Sequence, residues 1–155
     1  MREVLSILRA KELTVGSVES ITGGAFSDAI TNIPGASEVY KGSIISYAVE
    51  EKVKLLGLER ELIETHGVVS RAVSEAMAVH GRHVLNVDIC VSVTGNAGPT
   101  AEPGAYPVGI VFMSIALENK VISKNYLFHG TRIEIKQQAV LAMREFLENT
   151  ILENF

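Results

Sequence analysis

The sequence predicts an α/β fold: a mixed, mostly parallel sheet with helices on both faces. Three observations carry this. The hydrophobic period switches repeatedly between strand and helix spacing along the chain. The strand-like runs are apolar on both sides, as strands covered on both faces are. Near the carboxyl end, Gly109–Leu117 and Val121–Phe128 are joined at Glu118-Asn119-Lys120. That connection reads as a hairpin, which adds an antiparallel pairing.

Leu5, Leu8 and their charged neighbours predict an opening helix. Thr14–Ser20 is short and β-branched, hence a strand. After Gly23-Gly24, the residues Ala25, Phe26, Ala29, Ile30 and Ile33 recur at helical spacing until Pro34-Gly35 ends the run. Ser43–Ala48 reads as a second strand and Val49–Leu58 as a short helix stopped near Gly57. Arg71–Leu85 predicts a long helix capped by Ser70, with Val73, Met77, His80 and Val84 on one face. Asp88–Thr94 is a buried-type strand. Arg132–Leu152 is a final amphipathic helix, with Ile135, Ala139, Ala142, Met143 and Phe146 inward.

The 155 residues make one domain of ordinary size, long enough to bury a core without disulfides or metals. A formal net charge of −4 with no basic run argues against nucleic acid or an anionic membrane as a partner. The single cysteine, Cys90, forms no internal disulfide and fits a reducing compartment. No signal-peptide pattern opens the chain, and the longest apolar-rich segment, Pro107–Leu117, is too short to span a bilayer. The expectation is a soluble, cytoplasmic protein acting on a small molecule.

Ligands of open α/β sheets sit beyond the carboxyl ends of strands. Two such ends stand out. Glu19-Ser20-Ile21-Thr22-Gly23-Gly24 places hydroxyls and glycines before a helix, either an anion-binding turn or a capped one. Thr94-Gly95-Asn96-Ala97-Gly98-Pro99 opens a long loop that reaches Pro107. Neither nucleotide glycine fingerprint is present, and no G-x-S-x-G elbow. His80 and His83 lie three apart without a third ligand, so no metal is expected. Asp28 and Asp88 are the only aspartates, and Cys90 lies mid-strand as an inert core thiol.

Lys52 is the informative residue. On a helix starting after Tyr47, the residues Val49, Lys52, Val53 and Leu56 form one inward stripe. Periodicity favours a snorkelling lysine, its stem packed and its ammonium in water. The other reading is a desolvated lysine whose pKa falls far enough for it to act as a base toward a serine hydroxyl.

The motifs also follow one another in a characteristic order. They are Glu19-Ser20-Ile21-Thr22-Gly23-Gly24, Ile33-Pro34-Gly35-Ala36-Ser37, Tyr47 with Lys52 and Leu55-Leu56-Gly57, His66-Gly67-Val68-Val69-Ser70, Val93-Thr94-Gly95-Asn96-Ala97-Gly98-Pro99 and Pro107-Val108-Gly109. Over nearly the whole chain this set resembles the CinA carboxyl-terminal domain family, whose characterised members are nicotinamide-mononucleotide deamidases. The resemblance implies a three-layer α/β/α sandwich and hydrolysis of a nucleotide carboxamide, without metal or other cofactor. It carries the nucleophile onto Ser37, the base onto Lys52 and a proton-orienting tyrosine onto Tyr47. It carries substrate contacts onto Ser20, Thr22, Gly23, Gly24, Thr94, Gly95, Gly98 and Arg132, the last as a phosphate partner. A homodimer is implied by the resemblance alone. The chain departs from the family pattern at Ile21 (commonly Cys), Val49 (Asn), Asn96 (Ile) and Thr100-Ala101-Glu102. These departures leave open a non-catalytic nucleotide-binding domain, or an amidase for another small carboxamide.

Overall fold

In the computed structural model, which describes residues 1–155, the chain alternates helices and strands. The elements are α1 (Arg2–Ala10), β1 (Val15–Glu19), α2 (Ala25–Thr31), β2 (Tyr40–Ile45), α3 (Val49–Leu56), α4 (Arg60–His66), α5 (Arg71–Leu85), β3 (Ile89–Gly95), β4 (Ile110–Ala116), β5 (Val121–Leu127) and α6 (Arg132–Asn154). A 3-10 turn covers Ala36–Glu38. The sheet order is β2-β1-β3-β4-β5. Strands β2, β1 and β3 pair in parallel, and β4 pairs antiparallel with both β3 and β5. Only β4 therefore runs against the rest, as the hairpin requires.

Alternation along the central strand sorts residues between two cores. Ile89, Val91 and Val93 of β3 join the larger core with α1, α2 and α6. Cys90 faces the other way, with Val18, Val73 and Met77 under α5. That burial pushes the Cys90 thiol up to about 12, so it is held neutral. Helices on both faces make the three layers, as expected.

The element boundaries agree closely with the sequence reading for α5, whose Ser70 hydroxyl accepts from the Val73 amide at 3.3 Å. Two places differ. Strand β2 begins at Tyr40 and ends at Ile45, three residues earlier at both ends than expected. The stretch after it already turns toward α3, whose cap Ala48 is extended. The short charged helix α4 was not anticipated, because only Ile63 of it is buried.

The connectivity places the site. From β1 the chain moves outward to β2, then crosses to β3 on the other side of β1. The carboxyl ends of β1 and β3 therefore diverge at a topological switch point, where open α/β sheets form ligand crevices.

Candidate active site

A cleft of about 880 Å³ lies at that switch point. Ser20 and Ile21 after β1, and Thr94 and Gly95 at the end of β3, form its inner wall. Tyr47, Ala48 and Val49 contribute the β2–α3 side, Val68 and Val69 the floor of a turn, and the loop from Asn96 to Tyr106 the outer wall. Arg132, the first residue of α6, closes one end.

Lys52 lies behind Ser20 with no exposed surface. The snorkelling reading fails because α3 packs against α5, with Val49, Val53 and Leu56 in the smaller core, and the ammonium is left no contact with water. Its Nζ instead donates to the Ser46 carbonyl at 2.5 Å, to Ser20 Oγ at 3.0 Å and to the Tyr47 carbonyl at 3.3 Å. No carboxylate pairs with it. Burial without a counter-charge lowers its pKa from 10.5 to about 8. An amine whose pKa is lowered to about 8, in contact with a hydroxyl, is the geometry of a base beside a nucleophile.

That hydroxyl belongs to Ser20, and the structure does not bring Ser37 to Lys52. Ser37 precedes β2 and is exposed beside Tyr40, Lys41 and Gly42. Lys52 follows β2. Six strand residues separate the two ends, roughly 20 Å at the usual rise. The two groups lie beyond opposite ends of β2, which removes Ser37 from any chemistry with Lys52.

Tyr47 is corrected in a similar way. Its hydroxyl accepts from Arg132 Nη2 at 2.8 Å, and only its carbonyl meets Lys52. Tyr47 therefore belongs to the rim and does not orient the lysine's proton. Arg132 also donates through Nη1 to the Gly98 carbonyl at 2.6 Å. It ties the β2–α3 connection to the loop after β3. No carboxylate neutralises it, so its positive charge is directed at the cleft.

Among the glycine-turn residues, Thr22, Gly23 and Gly24 do not line the cleft. The Thr22 hydroxyl donates to Glu19 Oε2 at 2.7 Å, and the Gly24 amide donates to the same oxygen at 3.0 Å. The Gly23 amide is taken by the Ser20 carbonyl. Gly23 and Gly24 have φ of 60° and 100°, where a side chain is strained, so their role is to shape the turn. The anion-binding reading of this turn fails because the chain's own carboxylate already occupies the start of α2. The Ile21 amide, by contrast, donates to no group in the chain and borders the cleft.

Thr94 lines the cleft, but its hydroxyl donates to the Val68 carbonyl at 2.9 Å and so holds the Val68-Val69 turn. Gly95 packs so tightly that a Cβ there would meet the Ile110 carbonyl at 2.6 Å. Gly98 contributes its carbonyl to Arg132 and does not border the cleft. Asn96 has a clear local role: its Oδ1 accepts from the Gly98 amide at 2.8 Å and its Nδ2 donates to the Thr100 carbonyl at 3.1 Å. It staples the loop that forms the outer wall. Tyr106, which the sequence reading passed over, lines that wall with its ring edge-on to Phe112 at 5.2 Å between centroids.

Comparison with known proteins agrees with this architecture. The CinA C-terminal domain family matches residues 1–151. A putative competence-damage inducible protein of Caldicellulosiruptor saccharolyticus is 40% identical over 149 residues, 96% of this chain and 36% of that protein. The chain thus spans about a third of the length of that curated relative. A competence/damage inducible protein CihA from Agrobacterium tumefaciens has a crystal structure with a TM-score of 0.89 at 30% identity, covering 99% of this chain and 93% of that one. A CinA superfamily protein from Klebsiella pneumoniae shares the fold, with a TM-score of 0.94 at 23% identity over 97% and 94% of the two chains. No helix here is long and apolar enough to cross a membrane. The chain belongs to the CinA C-terminal domain family.

Proposed function

We propose that the chain is an amidohydrolase that converts nicotinamide mononucleotide to nicotinic acid mononucleotide and ammonia, with Ser20 as nucleophile and Lys52 as base. The observation that carries this reading is the 3.0 Å contact between the buried Lys52 amine and the Ser20 hydroxyl at the base of a cleft. The substrate comes from the family resemblance, and the guanidinium of Arg132, which no carboxylate neutralises, suits its phosphate.

The steps follow from the groups present. Neutral Lys52 takes the proton from Ser20 as Oγ attacks the carboxamide carbon. The carbonyl oxygen becomes an oxyanion. The Ile21 amide, directly after the nucleophile in a strand–turn–helix elbow, is placed to donate to it. Collapse breaks the C–N bond, and the protonated Lys52 gives its proton to the departing amine, which leaves as ammonia. Lys52, neutral again, then deprotonates a water that attacks the acyl ester on Ser20. The products are a carboxylate and the regenerated serine.

The departure at Val49 removes a family amide from the cleft wall and leaves the Ser20–Lys52 pair intact. The test is ammonia release from nicotinamide mononucleotide, compared with nicotinamide and with the intact dinucleotide. Turnover of the mononucleotide that is lost in Ser20→Ala supports the reading. No ammonia from any of the three refutes it.

A further inference from the structure

Glu19 is the least expected residue in the molecule. Its side chain has no exposed surface, and no cation faces it. A buried carboxylate is costly unless hydrogen bonds replace its water shell. Here they do. Oε2 accepts from the Thr22 hydroxyl at 2.7 Å, the Gly24 amide at 3.0 Å and the Phe26 amide at 3.1 Å. Oε1 accepts from the Ser27 amide at 2.8 Å, with the Ser43 and Ser17 hydroxyls at 3.3 and 3.5 Å. Three of these donors are amides at the positive end of α2, whose cap, Gly24, offers no side chain of its own.

Alternation along β1 gives this arrangement its consequence. Glu19 points toward α2, and Ser20, the next residue, points to the opposite face, where Lys52 waits. The carboxylate grips Thr22 and Gly24, two and four residues beyond the serine. The turn that carries Ser20 Oγ and the Ile21 amide is thus tied down on both sides of those groups. On the sheet face away from Lys52, the negative charge adds nothing to the causes of its lowered pKa, which is due to burial alone.

Resting on the reading of Ser20 as nucleophile, we propose that Glu19 is a positioning residue: its buried carboxylate fixes the 20–24 turn so that the serine hydroxyl and the Ile21 amide face one reacting carbon together. Glutamine is the informative replacement. It keeps the volume, yet whichever way its amide is turned, its NH2 confronts a backbone N–H, at Gly24 and Phe26 or at Ser27.

The experiment measures the rate at which a fluorophosphonate labels Ser20, a reaction that needs no pyridine nucleotide, alongside kcat and KM for nicotinamide mononucleotide. Folding is checked by thermal melting, and turn order by amide hydrogen exchange of the peptide spanning residues 20–27. Glu19→Gln is expected to lower labelling and kcat by about 10²-fold, the usual effect of misplacing a reacting group by about 1 Å, with KM little changed. If that variant does not fold, Thr22→Val serves in its place, since it removes only the hydroxyl tie to the turn. Thr22→Ser is expected to recover much of the loss. Ser43→Ala, which cuts a bond to the same carboxylate from β2, is expected to lower the melting temperature more than the labelling rate. Folded Glu19→Gln or Thr22→Val protein that labels at the wild-type rate overturns the positioning role alone. A wild-type protein inert to the probe overturns the nucleophile reading, and the positioning role with it.

Discussion

The Lys52 amine and the Ser20 hydroxyl are hydrogen-bonded across 3.0 Å, although 32 positions separate them in the chain. The pairing arises because β1 and β2 are parallel neighbours. Ser20 follows the first strand and Lys52 the second, so both emerge at the carboxyl ends of the parallel strands.

Exchange of the two serines separates the two assignments. Ser20→Ala is expected to abolish measurable ammonia release while leaving the melting temperature near wild type. Ser37→Ala is expected to keep it, because Ser37 is exposed at the opposite end of β2. Lys52→Met, close in volume, is expected to lower kcat by about 10² to 10⁴, the span usual for a positioned base. Steady-state assays of the three variants decide the matter, and loss of activity in Ser37→Ala alone would restore the first assignment.

Activity is expected to rise with pH through about 8, because Lys52 must be neutral to accept a proton and its pKa is lowered to about 8. Below that value kcat/KM should fall about tenfold per pH unit. A profile flat from pH 6 to 9 would count against Lys52 as the base.

The same shift sets a stability signature. The folded pKa of Lys52 lies below the unfolded one, so between about 8 and 10.5 the unfolded chain binds more protons. Wild-type stability relative to Lys52→Met should therefore increase across that window, by up to about 1.4 kcal/mol per unit. Below pH 8 the difference should be constant. Urea unfolding of both proteins at pH 7, 8.5 and 10 measures it.

Arg132→Met is expected to raise KM for nicotinamide mononucleotide by about 10-fold or more, through loss of a charge-assisted contact to phosphate. The riboside, which lacks the phosphate, should be handled equally by both proteins. A variant that weakens both substrates alike would point instead to collapse of the clasp between Tyr47 and Gly98.

Asn96→Ala should loosen the outer wall, since it frees the Gly98 amide and the Thr100 carbonyl. The expected cost is about 1 kcal/mol in stability. Faster amide exchange confined to residues 96–106 is the measurement that identifies the cause.

Most of the fold was legible in local pattern. The helix Arg71–Leu85 with its Ser70 cap, the buried strand of β3 and the late hairpin are each written in a period or a turn that depends on neighbours along the chain. The stripe that contains Lys52 was equally legible, but its depth was not. Periodicity says which way a side chain points, and only the packing of α3 against α5 says whether its tip reaches water. The partner of Lys52 was also beyond local reading. A short serine-bearing turn before β2 and another after β1 look alike as sequence, yet parallel pairing sends them to opposite ends of the strands. The glycine turn shows the same limit. Its composition announced a site for an anion, and the tertiary structure supplied one from within, the Glu19 carboxylate. Local pattern was enough to set the layers and the list of chemically capable residues, because those follow from side-chain period and type. Only the three-dimensional arrangement decided which of them meet, because contact between strand ends depends on the direction and order of strands far apart in the chain.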